Sequence, residues 1–442
     1  MGQASTTSVG LGMPNLPLSR VPGHVDSQSV DELRGHISQT TLDDVIANLT
    51  TEQIDAVAVN EPAPADIVFE GGFEDINRLF YENGWSDGLP IVPPTKERIE
   101  KFLAFTDLAP DEELGVVLPD NRRVTPWSVA VNGVMAGCKP QYMPILVALA
   151  RAMANPDYGV EHSGNTPGAE TLIVLNGPII KQLEFNYEQG ALRDGFQANT
   201  SVGRFWRLLM INGAGFRLHL NDKGTYGNTF RVVLAENEDV LAEIGWEPLA
   251  SDRGVDAGCN AVTIARFTGG DVLASAFGAD AESILPYLSD GVAKQHGWEV
   301  VFTAGIANGT LCPMLVLSPV LARTIANSGF SKQDVKQYLY DHARMTARQF
   351  ERYIGEWTNL VPGRRTLADM VATGKAVPEL AESDDPERLV PIVADPDDFM
   401  ITVTGDPLRT NAYAFAHNGM LGYPVTEPIV LPAAWDALRG QG

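Results

Sequence analysis

Several short polar segments of this chain carry side chains that grip anions or move protons. In Gln197-Ala-Asn-Thr-Ser-Val-Gly-Arg204, Asn199, Thr200 or Ser201 can cap a helix beginning near Gly203, and the N–H groups of such a terminus collect anions. Arg204 and Arg207 on its first turns would oppose the helix dipole, so each needs a partner: a carboxylate substrate or Asp194. Glu161-His-Ser-Gly-Asn-Thr-Pro-Gly168 sets His162 beside a hydroxyl and small residues, a setting for acid–base work, with simple loop capping as the alternative. Tyr226-Gly-Asn-Thr-Phe230 runs into a strand ending at Ala235-Glu-Asn-Glu238, which brings Tyr226, Asn228 and Asn237 toward a sheet edge. If the strand continues past Ala235, alternation puts Glu236 and Glu238 on one side, either as a proton-transfer pair or as solvated or salt-bridged carboxylates. Arg123, in Asp120-Asn-Arg-Arg123, clamps an anion or neutralises local charge. Cys138 lies at a helix break in Met135-Ala-Gly-Cys-Lys-Pro140, where N–H groups or Lys139 can lower a thiol pKa; packing is the alternative.

The strongest signatures are missing. The sequence has no Walker loop, no Gly-x-Gly-x-x-Gly after a strand, no Gly-x-Ser-x-Gly, no Cys-x-x-Cys and no His-Glu-x-x-His. Its 7 histidines are scattered, with no pair at metal-ligand spacing, so no metal is expected and no cofactor is named.

Around these segments the chain must supply a scaffold. A hydrophobic fraction of 44% in 442 residues suffices for a large core, as one big domain or two packed ones. No apolar run approaches a membrane span, and no secretory signal is visible at the start. A net charge of −24 argues against nucleic acid and anionic membranes as partners. An odd count of 3 cysteines points to a reducing compartment, hence a cytoplasmic protein.

Residues 1–67 read as an arm, loosely draped over 1–38, with an amphipathic helix opening at Thr41 and striped by Leu42, Val45, Ile46 and Leu49; Pro62-Ala-Pro64 ends it. Residues 68–380 form the main body, and 381–442 are a linker and a strand segment packing on it. Helices are expected at 73–83, 96–105, 127–153 (broken at Gly137 and Pro140), 203–211, 283–294, 320–327 and from Ser331 through Tyr353. Short apolar runs at Val116-Val117, 171–175, 230–234, 261–267, 299–302, 314–317 and 399–404 read as strands. The alternation argues an α/β fold, or a mixed α+β one, with a central sheet and flanking helices.

Five blocks, Trp85-Ser-Asp-Gly-Leu-Pro-Ile-Val-Pro-Pro-Thr95, Val131-Asn-Gly-Val-Met-Ala-Gly-Cys-Lys-Pro140, Leu175-Asn-Gly-Pro-Ile179, Ala198-Asn-Thr-Ser-Val-Gly-Arg204 and Ala235-Glu-Asn-Glu238, resemble those of a bacterial family associated with small redox proteins carrying a Sec-Gly-Ser-Cys or Cys-Gly-Ser-Cys motif. The resemblance spans roughly residues 69–355 in the family's order. It implies redox or thiol-dependent chemistry on a small molecule, with a small redox partner protein. The Cys-Gly-Ser-Cys motif is absent here, and Arg231 stands where family members often carry a cysteine, which weakens the thiol expectation. The leading expectation is an enzyme, a lyase or oxidoreductase, acting on a small organic anion. Arg204 would bind the anion and His162 or Glu236 would move a proton. The alternative is a non-catalytic assembly or cargo protein docking through its arm, and an oligomer is expected because the arm needs a surface to pack on.

Overall fold

The computed structural model describes residues 15–23, 28–51, 65–296, 311–353, 366–419 and 422–440, together with 4–5, 8, 13, 63, 299–300 and 303–304. Among the described residues of the arm a further helix precedes the one expected at Thr41. Ser29 opens α1 (Val30–His36) with a reciprocal capping box to Glu32. A π-turn over Ile37–Thr41 then leads into α2 (Leu42–Thr50). Thr41 is helical and caps nothing; its hydroxyl donates to the Arg20 carbonyl instead. The proline pair at 62 and 64 lies outside the described residues.

The body begins with α3 (Phe73–Glu82) and α4 (Lys96–Leu103), followed by a hairpin of β1 (Gly115–Val117) and β2 (Arg122–Val124). Thr125 and Ser128 form a capping box with Pro126 at the first helical position, so α5 (Pro126–Ala136) starts sharply. Gly137, at φ 79°, ends it in the left-handed conformation that glycine adopts without strain. After a 3-10 turn comes α6 (Met143–Ala154), whose Met143, Ile145, Leu146 and Leu149 are fully buried. Burial of each such side chain stabilises by roughly 1.5–3 kcal/mol.

Seven strands of the described residues make one mixed, curled sheet. These are β3 (Glu170–Asn176), β4 (Val233–Ala235), β5 (Ala261–Leu273), β6 (Met314–Leu317), β9 (Met400–Val403), β10 (Ala412–His417) and β11 (Val425–Pro428), in the order β4-β3-β5-β10-β6-β9 with β11 beside β5. A second hairpin pairs β7 (Arg344–Thr346) with β8 (Leu389–Pro391). Between the strands run α7 (Gln197–Leu209), α8 (Glu238–Ile244), α9 (Ala281–Lys294), α10 (Pro319–Asn327) and α11 (Lys332–His342). The fold is α/β.

Both sheet faces are buried, which is why the strands read as continuous apolar runs. On one face Leu172, Val174, Phe267, Met314, Met400 and Phe415 pack into a small inner cluster. On the other, Ile173 and Leu175 meet α5, α6 and α7, whereas Leu315, Leu317, Ile401 and Val403 meet α9, α10 and α11. The two sheet edges touch where β4 and β9 end: the Asn237 N–H donates to the Val403 carbonyl at 2.7 Å. Among the described residues no helix is long and apolar enough to cross a membrane.

Four expectations need correction. The 399–404 strand is not the last, because β10 and β11 follow, and β10 lies in the middle of the sheet between β5 and β6. Their short runs, Ala412–His417 and Val425–Pro428, lack the aliphatic density that marks the other strands. The 331–353 helix stops at His342, where the chain turns into β7. Glu299 and Val300 lie in a 3-10 turn, not a strand, and positions 301–302 lie outside the described residues. Finally, α7 starts at Gln197, so Asn199 sits within its first turn rather than capping a later helix.

Candidate functional site

A half-open groove of about 970 Å³ lies between the segment 65–71 and the helices α3, α4 and α5. Its floor follows from helical spacing: Trp127, Val131 and Met135 recur every four residues on α5, and Ile76 and Phe80 do the same on α3. Trp85 packs edge-on against Phe80, with centroids 5.4 Å apart, and Ile99 of α4 completes the apolar wall. Lys96, Arg122, Arg217 and Asn212 add polar groups, and Asp66 and Glu70 come from the segment 65–71.

The wall at Trp85 is held firmly. Asn212 Nδ2 donates to the Trp85 carbonyl at 3.0 Å and to Asn132 Oδ1 at 2.9 Å. Two residues on, Asp87 accepts a two-pronged contact from Arg204, at 3.0 Å from Nε and 2.9 Å from Nη2. Arg204 Nη2 also donates to the Pro90 carbonyl at 2.9 Å, so one guanidinium ties down the whole 85–90 loop. The Asp87 side chain is only 1% exposed. Burial alone would raise its carboxyl pKa, but the Arg204 bonds and the charges of Arg204 and Arg231 bring it below the usual carboxylate range. Among the cations at the groove, Arg122 pairs with Asp120 at 3.2 Å, and burial followed by the nearby Arg122 charge holds Arg217 below its ordinary pKa.

The residues singled out by sequence do not line this groove. Arg204 finds its partner in Asp87, and Arg207 in Asp222 at 2.7 Å; neither uses Asp194. Arg204 sits in the middle of α7 and Arg207 in its last turn, so neither opposes the helix dipole at the N-terminus. Asn199 is buried and saturated: its Oδ1 accepts from the Asn186 N–H at 2.9 Å, and its Nδ2 donates to the carbonyls of Asn186 (2.9 Å) and Val233 (2.8 Å). Asn237 caps α8 through the Val240 N–H. Glu236 is 1% exposed and accepts from Asn176 Nδ2 at 2.6 Å, the Leu249 N–H at 2.8 Å and the Val403 N–H at 3.2 Å. Burial raises its pKa despite these donors and the charge of Lys332. Glu238 joins it on Asn176 and also accepts from the Gly177 N–H at 2.7 Å; β4 ends at Ala235 and Glu238 opens α8, so the shared Asn176 amide, not strand alternation, brings the two carboxylates together.

Asn228 spans from one loop to β5, donating to the Thr268 carbonyl at 2.5 Å. Tyr226 is 97% exposed, and Arg123 forms a surface ion pair with Glu113. Cys138 is buried with its thiol against Ser201, and burial pushes it up to about 12, opposite to the lowering that the helix break and Lys139 suggest.

His162 belongs to a separate polar cluster at the sheet. Its turn lies beside Arg266, which is 2% exposed and donates to the Gly159 carbonyl at 2.7 Å under the Tyr158 ring. Asn165 donates to the His162 carbonyl and to Asn418 Oδ1, and Asn418 reaches the Glu299 carboxylate at 3.5 Å. Burial lowers the His162 pKa, outweighing Glu161, while burial pushes the Glu299 carboxyl up to about 8. Sequence reasoning missed Arg266, Glu299 and Asn418, because isolated polar residues within apolar runs carry no spacing signal. It quoted Trp85, Val131 and Met135 as parts of blocks, but not as a wall.

Among the described residues no cluster of three or more His, Cys, Asp or Glu side chains is placed to hold a metal ion. The chain matches no protein-family model, no curated protein and no solved structure.

Proposed function

We propose that the protein binds a small organic anion with an apolar body in the groove, and that any reaction it catalyses takes place there. The observation that supports this most is the lining: an aromatic and aliphatic floor with Lys96, Arg122, Arg217 and Asn212 converging on it. Its volume of about 970 Å³ matches pockets that take cofactor-sized or drug-sized ligands. Among the described lining residues, Asp66, Glu70 and Lys96 are the candidates for acid–base chemistry in the groove. Burial pushes the Cys138 thiol up to about 12, which does not favour a thiolate role for this residue.

The test uses 1-anilinonaphthalene-8-sulfonate, an aromatic anion whose fluorescence rises in apolar sites. Wild type should bind it with energy transfer from Trp85 and Trp127. Val131→Trp, which fills the floor, should weaken binding by more than about tenfold, and Lys96→Ala or Arg122→Ala by roughly three- to tenfold at low salt. Unchanged affinity in Val131→Trp, with near-ultraviolet dichroism preserved, overturns the groove as the site.

A further inference from the structure

We infer that Arg217 selects the ligand by gripping a planar carboxylate with the Nε and Nη2 edge of its guanidinium. This rests on the groove as the ligand site and narrows the ligand to an aromatic monocarboxylate. The polar groups that line the groove are not equally ready for an anion. Arg122 is exposed and already paired with Asp120. Asn212 has spent both amide hydrogens, on the Trp85 carbonyl and on Asn132 Oδ1, so it offers a ligand an acceptor rather than a donor. Lys96 is exposed, and a charge screened by water discriminates weakly between anions. Arg217 is half-buried.

Arg217 is also held in place from several directions. Its backbone N–H donates to Asn221 Oδ1 at 2.6 Å, and its carbonyl accepts from the N–H groups of Leu220, Asn221 and Asp222. Asn221 is 1% exposed and donates in turn to the Gly215 carbonyl at 3.1 Å. Gly215 sits at φ 85°, and a Cβ on it would lie 2.0 Å from the Asp120 carboxylate, so this turn needs glycine. The arginine side chain folds back over the turn, and Nη1 donates to the carbonyls of Ile211 and Phe216. Those two bonds use both Nη1 hydrogens. Among the described residues, Nε and Nη2 have no hydrogen-bond or ion-pair partner, and they are not sealed from solvent. That edge carries two parallel donors, which match the two oxygens of a carboxylate. Ile211, which receives Nη1, precedes Asn212, which fastens Trp85, so the fork stands at the Trp85 end of the groove.

Charge limits the ligand further. Burial holds the Arg217 guanidinium below its ordinary pKa, and Asp120, engaged with Arg122, offsets this only in part. An anion at the fork relieves that cost. A second negative charge finds no comparable partner, because Asp66 and Glu70 also line the groove and Asn212 presents its oxygen. A monocarboxylate therefore fits better than a dianion such as a phosphate monoester. Its apolar body meets the aromatic and aliphatic surface of Trp85, Trp127 and Val131.

The experiment is displacement of 1-anilinonaphthalene-8-sulfonate from the full chain by 2-naphthoate, by its neutral isostere 2-naphthamide, and by 2-naphthyl phosphate, a dianion at about pH 8. Wild type should bind 2-naphthoate about tenfold or more tightly than either of the others. Arg217→Lys keeps the charge but loses the fork, so it should weaken 2-naphthoate about tenfold and leave 2-naphthamide within about twofold. Arg217→Met should bind the two equally, which serves as the second variant if the lysine form does not fold. Lys96→Ala should instead weaken 2-naphthoate and the dye by the same factor. Three results each overturn the inference: a wild type that binds 2-naphthamide or the phosphate as tightly as 2-naphthoate; folded Arg217 variants with unchanged 2-naphthoate affinity; or a preference lost in Lys96→Ala and kept in Arg217→Lys. Val131→Trp tests the groove separately. If it abolishes dye binding while the Arg217 variants leave 2-naphthoate untouched, the groove stands and the carboxylate fork falls.

Discussion

The groove and the junction of β4 with β9 are built from opposite materials. At the junction, Glu236, Asn176 and Asn237 are polar and buried, and their hydrogen bonds run to protein partners. In the groove the surfaces are mostly apolar, yet they face open space, with a few cations among the lining residues. A polar side chain in a sequence invites a functional reading. In this fold the polar residues of Ala235-Glu-Asn-Glu238 and Ala198-Asn-Thr-Ser hold elements together, while the groove is walled by tryptophans, prolines and aliphatics. Saturation, rather than polarity, separates the two regions.

The largest expected effect lies at the junction. Glu236→Ala leaves the N–H groups of Leu249 and Val403 buried without their acceptor and takes one of the two carboxylates from the Asn176 amide. A loss of about 3–5 kcal/mol in urea unfolding is expected. The folded fraction should still bind the dye, since Glu236 does not line the groove. A loss below about 1 kcal/mol, or a selective loss of dye binding, would place Glu236 in the ligand site and erase the contrast.

Much of the scaffold was legible before the structure. The 171–175, 261–267 and 314–317 runs are strands because buried strands need uninterrupted aliphatic and β-branched side chains. The break of the 127–153 helix at Gly137 and Pro140 was equally plain, since a left-handed glycine and a proline each stop a helix. What the sequence hid was pairing across long separations. Arg204 meets Asp87 from 117 positions away, and Asn418 meets Asn165 from 253 away, and no local pattern encodes either contact. The groove was hidden for the same reason: its walls come from segments far apart in the chain, and no local pattern shows that they meet.

A smaller effect sharpens the comparison at the cluster around Asn418. The Glu299 carboxyl is pushed up to about 8 by burial, only partly offset by Asn418. The unfolded chain loses this proton near 4.5, while the folded chain keeps it until about 8. The contribution to stability is therefore complete below about 4.5 and is lost as pH rises through about 8. Unfolding free energies of wild type and Glu299→Gln should diverge over that window, by on the order of a few kcal/mol. Parallel pH profiles would mean that Glu299 ionises as a solvated carboxylate, and the cluster would then be open like the groove.

The smallest effect is expected at Tyr226 and Arg123, which sequence placed among the binding residues. Tyr226 is 97% exposed, so Tyr226→Ala removes a ring that is already in water. Arg123 meets Glu113 at 2.8 Å, but both side chains are about half exposed or more (63% and 48%), and such pairs contribute little. Each alanine variant should unfold within about 0.5 kcal/mol of wild type and bind the dye with unchanged affinity. The two residues differ in what a surprise would mean. Arg123 adjoins Arg122 of the groove, so weaker binding in Arg123→Ala would extend the cationic lining by one residue. Tyr226 lies in the loop that Asn228 fastens to β5, so weaker binding in Tyr226→Ala would move the ligand toward the Asn228 loop and away from α5.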